Sequence, residues 1–187
     1  RLAVTEACDL RCIYCMPEGG LPASDAPMSI HELAAIAEAA AKCGINKIRL
    51  TGGEPLLRPD IVEICRRLSR VEGIRTLCIT TNGTRLKSLA RPLYAAGVKR
   101  VNISLDSLDP ECYARITRLG DLADVLEGLD AALAAGFERV KVNCVLMGGV
   151  NDGEIADFVE LTRKRPLEVR FIELMPKKQA KDCAKRA

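Results

Sequence analysis

KIRLTGGEPLLRPD, residues 47–60, carries in one stretch the pattern that decides the fold. Lys47, Arg49 and Thr51 alternate with Ile48 and Leu50, so a strand over these residues has one polar face and one apolar face. Gly52 and Gly53 end the run, and Glu54-Pro55 turns the chain. Asp60 then stands as the N-cap of a helix with Glu63 in its first turn, where a carboxylate meets the positive end of the helix dipole. A strand, a glycine turn and a helix make one unit of a parallel α/β domain.

The same grammar recurs on both sides. Residues 2–5, 76–80, 100–105, 139–145 and 168–173 read as five more strands, with longer helical runs between them. Ser29 with Glu32 forms a capping box, Gly44 stands at the exit of the helix that follows, and Gly97 and Gly136 each close an Ala-rich helix before a strand. One face of the strands is apolar: Ile48, Leu50, Leu77, Ile79, Val101, Ile103, Leu105, Val140, Val142, Cys144, Val169 and Phe171. The other carries Lys47, Arg49, Thr51, Thr80, Asn102, Ser104, Asp106, Lys141, Asn143 and Arg170. A flat sheet buried on both sides would not tolerate that polar face, whereas a barrel facing a polar ligand would. The expected fold is α/β, an open partial (β/α)6 barrel.

Each unusual motif then falls just after a strand's carboxyl end, where such barrels place their sites. These are the cysteine cluster, Gly52-Gly53-Glu54-Pro55, Thr81-Asn82-Gly83, Asp106-Ser107, Met147-Gly148-Gly149 and Leu174-Met175-Pro176. Cys8, Cys12 and Cys15 make a C-x3-C-x2-C cluster, while the one histidine, His31, sits inside the capping box. A closed zinc site therefore lacks a fourth ligand, and an iron–sulfur cluster with one open iron fits better.

Length, composition and charge narrow the function. The 187 residues and a 48% hydrophobic content suit one domain, with no repeat, low-complexity run or linker. A net charge of +3 argues against bulk nucleic-acid binding, and apolar runs such as 33–41 are too short to span a bilayer. Nine cysteines, of which three cluster, argue against a secreted disulfide framework, so a reducing, cytoplasmic setting is expected. Cys43, Cys65, Cys78, Cys112 and Cys144 are read as small buried hydrophobes.

The cysteine motif, with Tyr14 before its last thiol, resembles the radical S-adenosylmethionine (SAM) signature. RLAVTEACDLRCIYCMP (1–17), KIRLTGGEPLLRPD, TTNG (80–83), NISLDSL (102–108), VKVNCVLMGGVN (140–151) and VRFIELMP (169–176) together resemble the GTP 3',8-cyclase family of molybdenum-cofactor biosynthesis. The resemblance implies a 4Fe–4S cluster on Cys8, Cys12 and Cys15, its fourth iron chelating SAM. Tyr14, Gly53, Ser104 and Met175 match SAM-contacting positions, with Glu54 expected to pair with the SAM ammonium and Gly52 and Gly53 to let backbone approach a ligand. Arg1, Arg49, Thr80 and Lys141 match GTP-contacting positions, with Arg170 and Lys47 nearby; arginines suit bidentate phosphate contacts.

The implied reaction is the first step of molybdopterin biosynthesis. SAM is cleaved by one-electron reduction to a 5'-deoxyadenosyl radical, which abstracts hydrogen from C3' of GTP before the sugar radical adds to C8. Flavodoxin or ferredoxin as reductant and a homodimer accord with the resemblance. Alternatives are a radical SAM enzyme on another substrate, such as a peptide, and a non-catalytic iron–sulfur electron carrier. The family's second three-cysteine cluster has no counterpart here: Cys183 stands alone in a basic tail. Residues 1–176 are thus read as the core domain and 177–187 as a tail of unassigned role, the chain being truncated or divergent after Pro176.

Overall fold

A computed structural model describes residues 1–15 and 27–175 of the chain. The elements are β1 (Leu2–Ala3), α1 (Ile30–Lys42), β2 (Lys47–Thr51), α2 (Ile61–Ser69), β3 (Thr76–Thr81), α3 (Leu86–Ala95), β4 (Val98–Ser104), α4 (Pro110–Thr117), α5 (Leu122–Ala135), β5 (Arg139–Leu146), α6 (Ile155–Lys164) and β6 (Glu168–Glu173). The strands form a single parallel sheet in the order of the chain, each paired with its sequence neighbour. This is the expected partial (β/α)6 barrel, open between β1 and β6. The expected tail 177–187, with Cys183, lies outside the described residues.

Local chemistry sets the helix ends. The Ser29 hydroxyl accepts from the Glu32 N–H and the Glu32 carboxylate accepts from the Ser29 N–H, closing the capping box of α1. Gly136 ends α5 at φ 89°, a left-handed position open to glycine at no steric cost. Asp60 opens α2 as expected, but its side chain does not cap. It accepts two bonds from the Arg58 guanidinium, at 2.8 and 2.6 Å, because a charged fork two residues away outcompetes a backbone N–H.

The apolar strand face is the core. Ile48, Leu50, Leu77, Ile79, Val101, Ile103, Leu105, Val140, Val142 and Cys144 are all buried against the helices. Phe171 departs from expectation at 37% exposed, since β6 is an edge strand; it meets Phe158 of α6 edge-on at 5.9 Å. Cys65, Cys78, Cys112 and Cys144 are buried as expected, while Cys43 is exposed because it lies at the end of α1.

Strand register stacks the polar face into levels. Arg49, Cys78, Arg100 and Arg139 lie level; one step nearer the carboxyl ends come Thr80, Asn102, Lys141 and Glu168; Ser104, Asn143 and Arg170 follow.

Candidate functional site

The loop after β1 lies over the carboxyl ends of the strands and is fastened through its backbone. Gly53 N–H donates to Thr5 O at 2.8 Å and Glu54 N–H to Ala7 O at 2.7 Å. A Cβ on Gly53 would stand 2.3 Å from Ala7 O, and one on Gly52 2.2 Å from Thr5 O. The close approach these two glycines permit is therefore to the cysteine loop itself, whatever ligand also comes near. On the other side, Arg11 N–H donates to Thr117 O and Ile13 N–H to Ile116 O, both at 3.0 Å, which docks the loop on the end of α4. Arg11 Nη1 folds back onto the carbonyls of Cys8 and Leu10.

This frame carries Cys8 and Cys12, both half-buried, and Cys15, exposed. The thiols lie within electrostatic reach of one another; burial, then the neighbouring Asp106, pushes the Cys12 thiol up to about 12, and burial raises Cys8. No three Cys, His, Asp or Glu among the described residues converge tightly enough for a single ion. Three thiols on one loop are a donor set of the kind that takes an iron–sulfur cluster. Thiolate is the form of cysteine that ligates metal, so ligation by Cys12 would require loss of the proton that burial favours.

Four carboxylates stitch the mouth together. Glu54, 1% exposed, accepts from Leu56 N–H (2.9 Å), Thr81 Oγ1 (2.7 Å) and Asn82 N–H (2.6 Å), joining the loops after β2 and β3. Burial outweighs these donors and pushes its carboxyl up to about 7. Asp9 accepts from Asn82 Nδ2 at 2.6 Å and Thr84 Oγ1 at 3.0 Å. Asp106 accepts from the Tyr14 hydroxyl at 2.7 Å and Val145 N–H at 2.8 Å, tying the cysteine loop to β5. Burial raises both Asp106 and the Tyr14 phenol. Glu154 accepts from Ser107 Oγ and Leu108 N–H, at 2.7 and 2.6 Å.

Tyr14, Gly53, Glu54 and Ser104 thus gather around one mouth, Ser104 half-buried at the end of β4. Met175 lies past β6, 77% exposed. Of the expected nucleotide contacts, Arg49 and Thr80 are half-buried on the inward face, Lys141 is buried there, and Arg1, Lys47 and Arg170 are exposed. Lys141 is paired with Glu168, which also meets Arg139 at 3.1 Å. Among the described residues Arg49 forms no ion pair. Asp9, Glu154 and Asn151 escaped the sequence reading. Asn151 Nδ2 donates to Asp106 O and Val145 O and its Oδ1 accepts from Met147 N–H, so it holds the loop after β5. The signals available were Asp9's position beside Cys8 and Asn151's place at the end of the string 140–151.

A parallel partial barrel with a three-thiol loop across its mouth defines a class. Residues 2–162 match the family model of the Radical SAM superfamily, and the chain belongs to that superfamily, whose cofactors are a 4Fe–4S cluster and SAM. More particularly, it is 51% identical over 178 residues to the GTP 3',8-cyclase of Pseudomonas fluorescens (strain Pf0-1), covering 94% of this chain and 53% of that protein. It is 52% identical over 178 residues to the GTP 3',8-cyclase of Peptoclostridium acidaminophilum, covering 94% and 55%. The chain spans about half the length of the curated relatives it matches. Streptococcus suis SuiB bound to S-adenosylmethionine shares the fold at a TM-score of 0.77 and 18% identity, over 94% of this chain and 41% of that one. No helix among the described residues is long and apolar enough to cross a membrane.

Proposed function

We propose that this chain is the radical SAM core of a GTP 3',8-cyclase, with residues 1–176 as its catalytic domain. The observation that carries the reading is the inward face. Arg49 forms no ion pair among the described residues, and it lies with Thr80 on the inward face of the strands whose carboxyl ends carry the three-thiol loop. Arg49, a half-buried cation on the inward face without an ion pair among the described residues, calls for an anion, and a triphosphate supplies one. The identity to the cyclases supports the base and reaction.

When bound, the cluster and SAM supply the one-electron chemistry that draws hydrogen from the substrate sugar. The chain's own residues place and shield. Cys8, Cys12 and Cys15 hold the cluster; Tyr14, fixed by Asp106, and Ser104 border the SAM position; Glu54 keeps one acceptor position on Oε2 for the SAM ammonium. Arg1, Arg49, Thr80, Lys141 and Arg170 receive the triphosphate, aligning the sugar with the mouth. Flavodoxin or ferredoxin delivers the electron.

The test is isotope transfer. With GTP deuterated at C3', the reconstituted chain given SAM and dithionite should release deuterated 5'-deoxyadenosine. Unlabelled 5'-deoxyadenosine formed at the same rate with and without GTP would assign the barrel to another substrate.

A further inference from the structure

Two side-chain donors on the inward face of β4 are buried and unpartnered: Asn102 Nδ2 and Arg100 Nε. They stand two residues apart, so they share a face, and Val101 between them and Ile103 after Asn102 are buried on the helix side. Asn102 is 2% exposed. Its level neighbours are Thr80 on β3 and Lys141 on β5. A buried amide donor without an acceptor costs stability, and a strand position flanked by Val and Ile could be filled by an apolar residue at no such cost.

We propose that Asn102 is a further substrate-binding residue, whose Nδ2 donates to a phosphate oxygen of the bound nucleotide, with Arg100 Nε donating from the level below. The inference rests on the nucleotide reading above and deepens it. The chemistry selects phosphate over base or sugar. Both orphans are donors, so the ligand must be rich in acceptors. Arg49 lies level with Arg100 and forms no ion pair among the described residues, while Lys141, level with Asn102, and Arg170, one step above, share the single carboxylate of Glu168, so cations outnumber anions around the orphans. Lys141 is already partly neutralised by Glu168, which leaves room for a neutral, directional donor beside it. Asn102 fixes where a phosphate sits; the arginines supply the attraction. Neutral donation also separates the two roles experimentally, because salt screens charge and leaves a neutral hydrogen bond nearly untouched.

The experiment is equilibrium binding of GTP and of inorganic tripolyphosphate to the reconstituted chain, with thermal unfolding of the ligand-free protein alongside. Asn102→Leu should weaken both ligands by about tenfold or more, the loss expected of a hydrogen bond to a charged group. That factor should hold between low and high salt, while the loss in Arg49→Ala should shrink as salt rises. The ligand-free midpoint of Asn102→Leu should equal or exceed the parent's, since an unsatisfied donor has been removed. Asn102→Ala serves if leucine does not fold, with the same binding loss expected. If the parent binds both ligands and the Asn102 variants bind them equally well, Asn102 is not a ligand donor and the nucleotide reading stands. A lowered midpoint with binding lost only in proportion to unfolded protein assigns Asn102 a structural role instead. A parent chain that binds neither ligand overturns the nucleotide reading and this assignment with it.

Discussion

Glu54 shows how much one side chain can hold at this site. Its carboxylate is the acceptor for three donors from two loops, so Glu54→Gln sets an amide NH2 against N–H groups and should cost about 2 kcal/mol or more, read by denaturant unfolding. Its carboxyl is held at about 7, above the ordinary carboxylate range, so the folded state binds that proton more tightly than the unfolded one. Its contribution is therefore most favourable below the ordinary value, is lost as pH rises to about 7, and is flat beyond. The difference in stability between parent and Glu54→Gln should follow that curve. Cys12→Ala should lose bound iron while far-UV circular dichroism stays near the parent's, because its loop lies outside the strands and helices; a full 4Fe–4S complement in that variant would mean the ligands are misassigned. At this scale the sequence showed residue types and missed partners. Tyr14 was legible as the aromatic of a thiol motif, but its bond to Asp106 spans 92 residues and no local pattern encodes it.

Between elements, the decisive contacts are those that seat the cysteine loop. Arg58 is buried and donates to Val4 O at 2.9 Å and Met28 O at 2.7 Å besides pairing with Asp60, so it binds the end of β1 to the entry of α1. Arg58→Ala strips a buried charge from its partners and opens two carbonyls; a loss of about 3 kcal/mol is expected, measured by chemical unfolding. Gly53→Ala should be as damaging for another reason. Its Cβ meets Glu6 O at 2.5 Å as well as Ala7 O, and both are backbone atoms that cannot rotate away. The loop must lift, and reconstituted iron and SAM affinity should both fall. Alternation and glycine placement made the six strands and helix exits readable in advance. Asp60 holds the N-cap position that the sequence indicates but makes no capping bond, because Arg58 competes for the same carboxylate, a rivalry that helix-start rules do not weigh.

Taken whole, the molecule sorts its polar groups by depth. Carboxylates tie the loops at the mouth, cations and neutral donors line the barrel below, and apolar side chains fill the space between sheet and helices. That sorting was visible in the strand alternation, which gave the barrel and its inward face before any contact was known. The pairing of Lys141 with Glu168 was not, because register between β5 and β6 decides it. One measurement reads the cluster and its chemistry together. After anaerobic reconstitution, iron and sulfide are counted and the chain is given SAM and dithionite, with 5'-deoxyadenosine followed by mass spectrometry. A 4Fe–4S complement and 5'-deoxyadenosine that depends on Cys8, Cys12 and Cys15 are predicted. Stoichiometric zinc, or a reduced cluster that leaves SAM intact, would contradict it.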